Sequence, residues 1–392
     1  MSQLQKLIDE LCPNGVEFKK LGEVTLMQRG TSVTKKNAVE GSIPVISGGR
    51  EPAFYINQAN REGETITVAG SGAGAGFVQF WNEPIFVNDA FSVKGTETLL
   101  TKYVFYCMKN MQEQISGTQK GGGVPHVHIS SIEKFEIPVP PLPVQEEIVR
   151  ILDKFTTLEA ELEAELDCRK RQYEYYRDKL LTFSKLAPPL WRIRGDVKWL
   201  KMSEIATFTY GFTDKAKDTG DARFIRITDI DDFGNLIMDN PKYIKMTEDS
   251  RKYLLKKGDL LMARTGATYG KTLFVPTDES AIFASFLIKI TFDNSIVLNR
   301  YYWHFSKSRL YWQQAEKLVS IGGQQQFNTN AIGRVVIPIP PIEEQRRIVS
   351  ILDSFETLTT DLQSGLPAEI AARRRQYEYY REKLLTFKRK AA

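Results

Sequence analysis

At 392 residues, 42% hydrophobic and 26% charged, with a formal net charge of +5, the chain has the composition of an ordinary soluble protein with room for two or three domains. Its most apolar run, Ala281 to Ile288, is far too short for a bilayer. Three cysteines (Cys12, Cys107, Cys168) without CxxC spacing point to free thiols in a reducing compartment. A cytoplasmic protein is expected, and the mild positive charge permits a nucleic-acid partner without requiring one.

In chain order, Leu4, Leu7, Ile8 and Leu11 predict a short amphipathic helix stopped by Pro13-Asn-Gly15, with no signal-peptide pattern. From Val16 to about Glu136, β-rich pieces alternate with glycine, asparagine and proline turns. They are Ile43 to Ile46, Thr65 to Val68, Gly76 to Phe80, Ile85 to Val87 and Phe91 to Val93. Tyr103, Tyr106, Cys107, Met111 and Ile115 have helical spacing. The expectation is a mixed α/β globule with an irregular sheet. Pro138, Pro140, Pro141 and Pro143 then hold an extended hinge. Beyond it come Ile148, Leu152, Phe155, Leu162, Leu166, Tyr173, Tyr176 and Leu180, in alternating steps of four and three once Glu159 and Arg169 fill the polar slots. That heptad seam predicts a helix of about 40 residues, roughly 60 Å, paired along its length. Inside it, Leu158-Glu-Ala-Glu-Leu-Glu-Ala-Glu-Leu166 is a four-residue repeat of high helix propensity.

Ser184 to Asp196 reads as a linker, after which Val197 to Ile205 aligns with Val16 to Val24. The second globule, about Val197 to Val336, diverges sharply from the first. It keeps Ala263-Arg-Thr-Gly266 opposite Ala69-Gly-Ser-Gly72, and Gly322-Gly323 opposite Gly122-Gly123. The closing helix repeats the first one. The block from Ile137 to Phe155 returns, substituted but in step, as Ile337 to Phe355, 200 positions on. The block Arg171-Gln-Tyr-Glu-Tyr-Tyr-Arg-Asp-Lys-Leu-Leu-Thr-Phe183 returns 204 positions on as Arg375 to Phe387, with Glu382 for Asp178 as its single change. Ser364-Gly-Leu-Pro367 lies in the four-residue insertion, a stutter at which Gly365 and Pro367 predict a break. The chain is thus a tandem of two similar halves. Nearly identical helices suggest two copies of one partner, and divergent globules suggest two different ligands.

Few motifs suggest catalysis. Gly266 to Gly270 leaves three intervening residues where a P-loop needs four, so a turn bringing backbone amides and Arg264 or Lys271 to some other phosphate is the better reading. Gly70-Ser-Gly-Ala-Gly-Ala-Gly76 is followed by a strand pattern rather than a helix, and is read as a glycine-rich turn. His126 and His128 lack a cysteine or carboxylate pair to complete a metal site. The tyrosine blocks combine helix packing, through Tyr173 and Tyr176, with side chains left for a partner. Gln324 to Gln326 are either adenine readers or a solvated loop.

Two globules, each followed by an Ile-Pro-(Val/Ile)-Pro-Pro…Gln…Ile-Val-x-Ile-Leu-Asp-x-Phe block, together with Gly258-Asp-Leu-Leu-Met-Ala-Arg-Thr-Gly266 and the Leu-Glu-Ala-Glu repeat, resemble the specificity subunits of type I restriction–modification enzymes over essentially the whole chain. The resemblance implies a mixed α/β (α+β) fold. Two target-recognition domains, each with a twisted irregular sheet, would be joined by two long antiparallel coiled-coil helices in a pseudo-two-fold arrangement. The boundaries expected are 1–137 for the first domain, 138–185 for the central helix and spacer, 186–337 for the second domain and 338–392 for the C-terminal helix. The resemblance further implies a non-catalytic chain that binds double-stranded DNA, each domain reading half of an asymmetric bipartite target. Two modification (methyltransferase) subunits would dock on the helices, and restriction subunits would join through the complex. No cofactor is expected in this chain; S-adenosylmethionine, ATP and Mg belong to the partner subunits. The DNA contacts expected by residue type are Arg29, Lys35, Lys36, Arg50, Lys120 and His126 in the first domain, and Arg223, Arg264, Lys271, Gln324, Gln325 and Gln326 in the second. Partner docking falls to Arg171, Tyr175, Arg177, Arg375, Tyr379 and Arg381. A scaffold that uses the helices for assembly and never touches DNA is the competing reading, which salt-dependent DNA binding would separate from the first.

Overall fold

The computed structural model describes residues 3–121, 123–183, 196–231, 233–320, 325–360 and 365–390. Most of the expected linker, with Gly122, Gly322, Gly323, Gln324 and Ser364, lies outside them. Two compact units divide the chain: Met1–Glu163 with Glu369–Ala392, and Ala164–Ala368.

In the first unit the expected amphipathic helix α1 (Gln3–Leu11) packs Leu4, Leu7 and Ile8 into the core. Nine strands follow: β1 (Phe18–Lys20), β2 (Thr25–Arg29), β3 (Ile43–Ile46), β4 (Phe54–Ile56), β5 (Thr65–Ala69), β6 (Val78–Trp81), β7 (Phe86–Val87), β8 (Ala90–Gly95) and β9 (Glu136–Pro138). A single turn, α2 (Leu21–Val24), joins β1 to β2, while α3 (Thr101–Asn110), α4 (Gln112–Ser116) and α5 (Ile129–Ile132) lie between β8 and β9. The helix expected near 103–115 is thus two helices meeting at Met111. An antiparallel sheet has the order β2-β8-β5-β6, a second sheet β4-β3-β7 contains the parallel pair β3/β7, and β1 pairs with β9. All five residues of β5 are buried, which suits its β-branched Thr-Ile-Thr-Val run.

The second unit repeats this topology strand for strand. Its strands are β10 (Lys198–Lys201), β11 (Ala206–Tyr210), β12 (Ala222–Ile225), β13 (Tyr243–Ile244), β14 (Leu260–Ala263), β15 (Thr272–Phe274), β16 (Ala281–Phe283), β17 (Leu287–Phe292) and β18 (Val336–Ile339). The sheet orders β11-β17-β14-β15, β13-β12-β16 and β10-β18 match those of the first unit, including one parallel pair, β12/β16. The helices of the globule are α7 (Met202–Ile205), α8 (Glu248–Arg251), α9 (Asn299–Phe305), α10 (Arg309–Leu318) and α11 (Thr329–Gly333).

The 40-residue helix α6 (Leu142–Leu181) has the length expected. The C-terminal helical region is divided into α12 (Ile342–Thr360) and α13 (Leu366–Leu384), with 361–364 outside the described residues. Pro367 sits in the first turn of α13, where its missing N–H is harmless. Each unit therefore holds a helix pair. In the first, Phe155 on α6 lies 5.4 Å from the Tyr380 ring and 6.5 Å from Tyr377, while Arg374 pairs with Glu159 at 2.6 Å and also with Glu163. Rising numbers on α6 meet falling numbers on α13, so the pair is antiparallel. In the second unit Tyr176 of α6 lies 5.3 Å from Phe355 of α12. The tyrosine blocks are consequently exchanged along the chain. The C-terminal block closes the core of the first unit through Tyr377, Leu384, Leu385 and Phe387, and the central block closes that of the second through Tyr173, Leu180, Leu181 and Phe183.

Two residues repeated with the helix blocks lock each globule to its hinge. Gln145, fully buried, accepts from the Leu100 N–H at 3.0 Å and donates to the carbonyls of Thr98 and Pro140. Gln345, also fully buried, does the same with Leu298 N–H, Ile296 and Pro340. The Asp of each Ile-Leu-Asp run is the second lock. Asp153 receives Lys102 at 2.9 Å and the Tyr106 hydroxyl at 2.5 Å, whereas Asp353 receives Arg300 at 2.7 Å and His304 Nε2 at 2.8 Å.

Candidate nucleic-acid interface

At one end of each four-stranded sheet a loop is clamped onto a glycine turn. In the first unit the loop passes from Lys120 to His126, which form a two-residue bridge, and His126 also bridges to Ser71. The Gly72 N–H donates to Pro125 O at 3.0 Å, and Val127 N–H to Gly70 O at 3.0 Å. The second unit reproduces every contact: Gln326 bridges Ser320 and Thr265, Gly266 N–H donates to Gln325 O at 3.1 Å, and Phe327 N–H to Arg264 O at 2.8 Å. The glycines that superficially resembled nucleotide motifs make the turn itself. Gly72 and Gly76, like Gly266 and Gly270, have φ between 70° and 84°, which only glycine adopts at little cost.

This frame gathers part of the expected contact set. Arg29 at the end of β2 and His126 line one groove of the first unit, with Ser32, Thr34, Asn88, Asp89 and His128. The His126 and His128 rings are nearly parallel with centroids 6.2 Å apart. Lys35 and Lys36 are exposed in the turn that follows Thr34, and Lys120 is exposed on the clamped loop. Arg50 stands apart from the groove, its guanidinium over the Phe77 ring at 5.0 Å. In the second unit Arg264, Gln325 and Gln326 share the equivalent turn and loop, and both glutamines are exposed. Lys271 instead lines a cavity with Lys170, Tyr173, Arg177 and Lys307.

Three expectations need correction. Arg223 is only 3% exposed on β12, the central strand of its sheet, and its guanidinium donates to the Ile237 carbonyl, so it ties that segment to the strand and is not presented to DNA. Arg177 is 12% exposed at its side chain, lies over the Tyr173 ring and pairs with Asp178. Arg381 lies over Tyr377 and donates to Asn110 Oδ1. Arg381 fastens its tyrosine block to α3 of the first globule, while Arg177 packs within its own block, so both are taken up in packing and are not held out toward a partner. Arg171, Tyr175, Arg375 and Tyr379 remain exposed.

Sequence reasoning missed the polar junction beneath α9. His304 Nε2 meets Asp353 and Nδ1 meets the Tyr173 hydroxyl at 3.1 Å, so a neutral ring donates to the carboxylate and accepts from tyrosine. Burial drives the His304 pKa down to about 4 against the pull of Asp353. Burial likewise lowers Lys307 to about 7, although Glu356 opposes the shift, and burial raises Glu356 itself. His304, Asp353 and Glu356 have metal-ligand spacing among the described residues, but Arg300 and Lys307 already pair with the carboxylates, so the cluster is an ion-pair network. The legible signal was the repeat itself, since Asp occupies the same block position in both copies.

The sequence pattern of the type I restriction modification DNA specificity domain matches residues 13–167 and 195–372, one stretch for each half of the repeat. The chain belongs to that family. This specificity subunit is 30% identical to the EcoR124I/EcoR124II specificity subunit of Escherichia coli, over 99% of this chain and 97% of the relative. It is 32% identical to a Haemophilus influenzae chain named for a type I restriction enzyme specificity subunit, over 98% of each. Its fold is similar to the S subunit of M. genitalium, with a TM-score of 0.63 at 15% identity, covering 95% of this chain and 96% of the other. A second chain, solved in work on complex assembly and conformational transition of the type I system, gives a TM-score of 0.56 at 17% identity, covering 95% and 98%. As a specificity subunit the chain is a non-catalytic component of its system. No helix among the described residues is long and apolar enough to cross a membrane.

Proposed function

We propose that the two globules each read one half of an asymmetric, bipartite double-stranded DNA target, and that the helices set the gap and dock two modification subunits. The observation that carries this reading is a shared frame with unlike contents. The sheet orders and loop clamps coincide in the two units, whereas the side chains on them differ: His126 and Arg29 in one, Gln326, Gln325 and Arg264 in the other. A scaffold built only for assembly has no physical need for two unlike loop surfaces on one backbone. Lysine and arginine contacts would anchor phosphates, and base edges would be read from the clamped loops. S-adenosylmethionine, ATP and Mg would be bound by the modification and restriction subunits. The exposed pairs Tyr175/Tyr379 and Arg171/Arg375, at matching positions of two near-identical blocks, suit two copies of one partner.

The test is genome-wide adenine methylation in cells that carry the modification subunit, with and without this chain. One split motif should disappear on deletion, and the assembled complex should bind that motif with an affinity that falls steeply as salt rises. An unchanged methylome together with no salt-dependent DNA binding would leave the scaffold reading.

A further inference from the structure

We infer that Arg264 is a specificity-determining residue of the second domain, reading a guanine in the major groove. The inference rests on the DNA-reading function proposed above and goes further by naming the base and the group that takes it.

Arg264 is held at its backbone, at its Nε and across the face of its guanidinium. Its backbone is fixed on both sides, by its N–H to Phe286 O at 3.1 Å and by Phe327 N–H to its carbonyl at 2.8 Å. Its Nε donates to Ser285 O at 3.0 Å. The guanidinium lies over two aromatic rings, with centroids 5.2 Å away at Tyr210 and 5.5 Å away at Phe286. Those rings are 41% and 50% exposed, so they brace the cation at the surface without burying it. Tyr210 is itself anchored, its hydroxyl 3.2 Å from Thr329 Oγ1. Neither Nη group of Arg264 has a hydrogen-bond or ion-pair partner among the described residues. What remains is a planar fork of donors, oriented before any ligand arrives, beside the exposed Gln325 and Gln326. Such a fork fits a pair of adjacent acceptors, and in DNA these are guanine O6 and N7 or two phosphate oxygens.

The first domain separates the two. The position equivalent to Arg264, fixed by the same two backbone bonds, is Gly70, whose N–H donates to Asp89 O and whose carbonyl accepts from Val127. Both half-sites offer phosphates, whereas the matched frame of the first domain carries no side chain at this position. That asymmetry favours a base edge, which differs between the half-sites, as what the fork takes. At this place the first domain instead exposes Asp89, an acceptor, hydrogen-bonded by Ser71.

The experiment compares wild type, R264K and R264A in the assembled complex with its modification subunits, reading motif methylation and binding to wild-type and single-substitution duplexes. Both variants should lose discrimination at one G·C position of one half-site by about 10- to 100-fold, with the other half-site unchanged. Lysine keeps the charge but not the fork, so it should not rescue. The proposal is overturned if R264K retains the full motif, if R264A weakens all sequences alike with a salt slope smaller by about one, or if neither variant changes anything. R264K keeps the test decisive should R264A fail to fold. A wild-type complex that shows no split motif and no DNA binding would remove the proposed function as well, a result distinct from any of these.

Discussion

His304 and Tyr106 hold the same place in the two units, each donating to the Asp of an Ile-Leu-Asp run. The difference has a pH consequence. With its folded pKa near 4 against an ordinary 6.5, His304 takes up a proton between those values only in the unfolded chain. The His304 contribution to stability is therefore full above about pH 6.5 and is lost as the pH drops toward 4, by about 3 kcal/mol. Glu356, raised by burial, opposes the trend at the acid end. Hydrogen exchange of α9 peptides should show protection lost between pH 7 and pH 5 in wild type, with a flatter profile in H304Y, which carries the residue used by the first unit. Equal profiles would refute the assignment. The glutamine locks make a second prediction at this scale. Q345A orphans the buried Leu298 N–H and the Ile296 and Pro340 carbonyls, and should cost about 3 kcal/mol in urea unfolding. A loss below about 0.5 kcal/mol would contradict it. Gln145, Gln345, Asp153 and Asp353 were visible as repeated letters, but their partners lie in the globules, 45 to 53 residues upstream for the Leu100, Leu298, Lys102, Tyr106, Arg300 and His304 contacts. Pattern reading along a helix does not reach that far.

The helices were legible element by element because their information is local. Heptad spacing predicted a helix of about 40 residues and α6 has 40, while the stutter at Gly365 and Pro367 coincides with the division between α12 and α13. The short strands were found approximately, since glycine and proline punctuate them. Individual side chains on these elements were less legible. Arg177 and Arg381 looked like free cations on a partner-facing helix, yet each turns back onto the tyrosine four residues earlier and is used for packing. Charge and helical position alone do not distinguish these two fates. The element-scale prediction concerns the Leu-Glu-Ala-Glu repeat. If α6 sets the gap in the DNA target, deleting Leu158 to Glu161 shortens it by about 6 Å. The methylated half-sites should stay the same while the gap between them shrinks by one or two base pairs. A changed half-site with an unchanged gap would sink the spacing role.

On the scale of the whole molecule, the sequence by itself determined that the chain is a tandem, that its helices are near copies and its globules are not, and which family it belongs to. These follow from repeats and local periodicity, which need no knowledge of what touches what. Only the tertiary structure decided that the tyrosine blocks are exchanged, so that Tyr377 to Phe387 complete the core of the first unit and Tyr173 to Phe183 that of the second. It alone showed that unlike globules share one strand order, that Arg223 is buried, and that Gly70 and Arg264 stand in one backbone frame. The physical reason is the same in each case. Burial, sheet pairing and the orientation of a cation depend on neighbours distant in the chain, and a sequence lists those neighbours without saying which will meet.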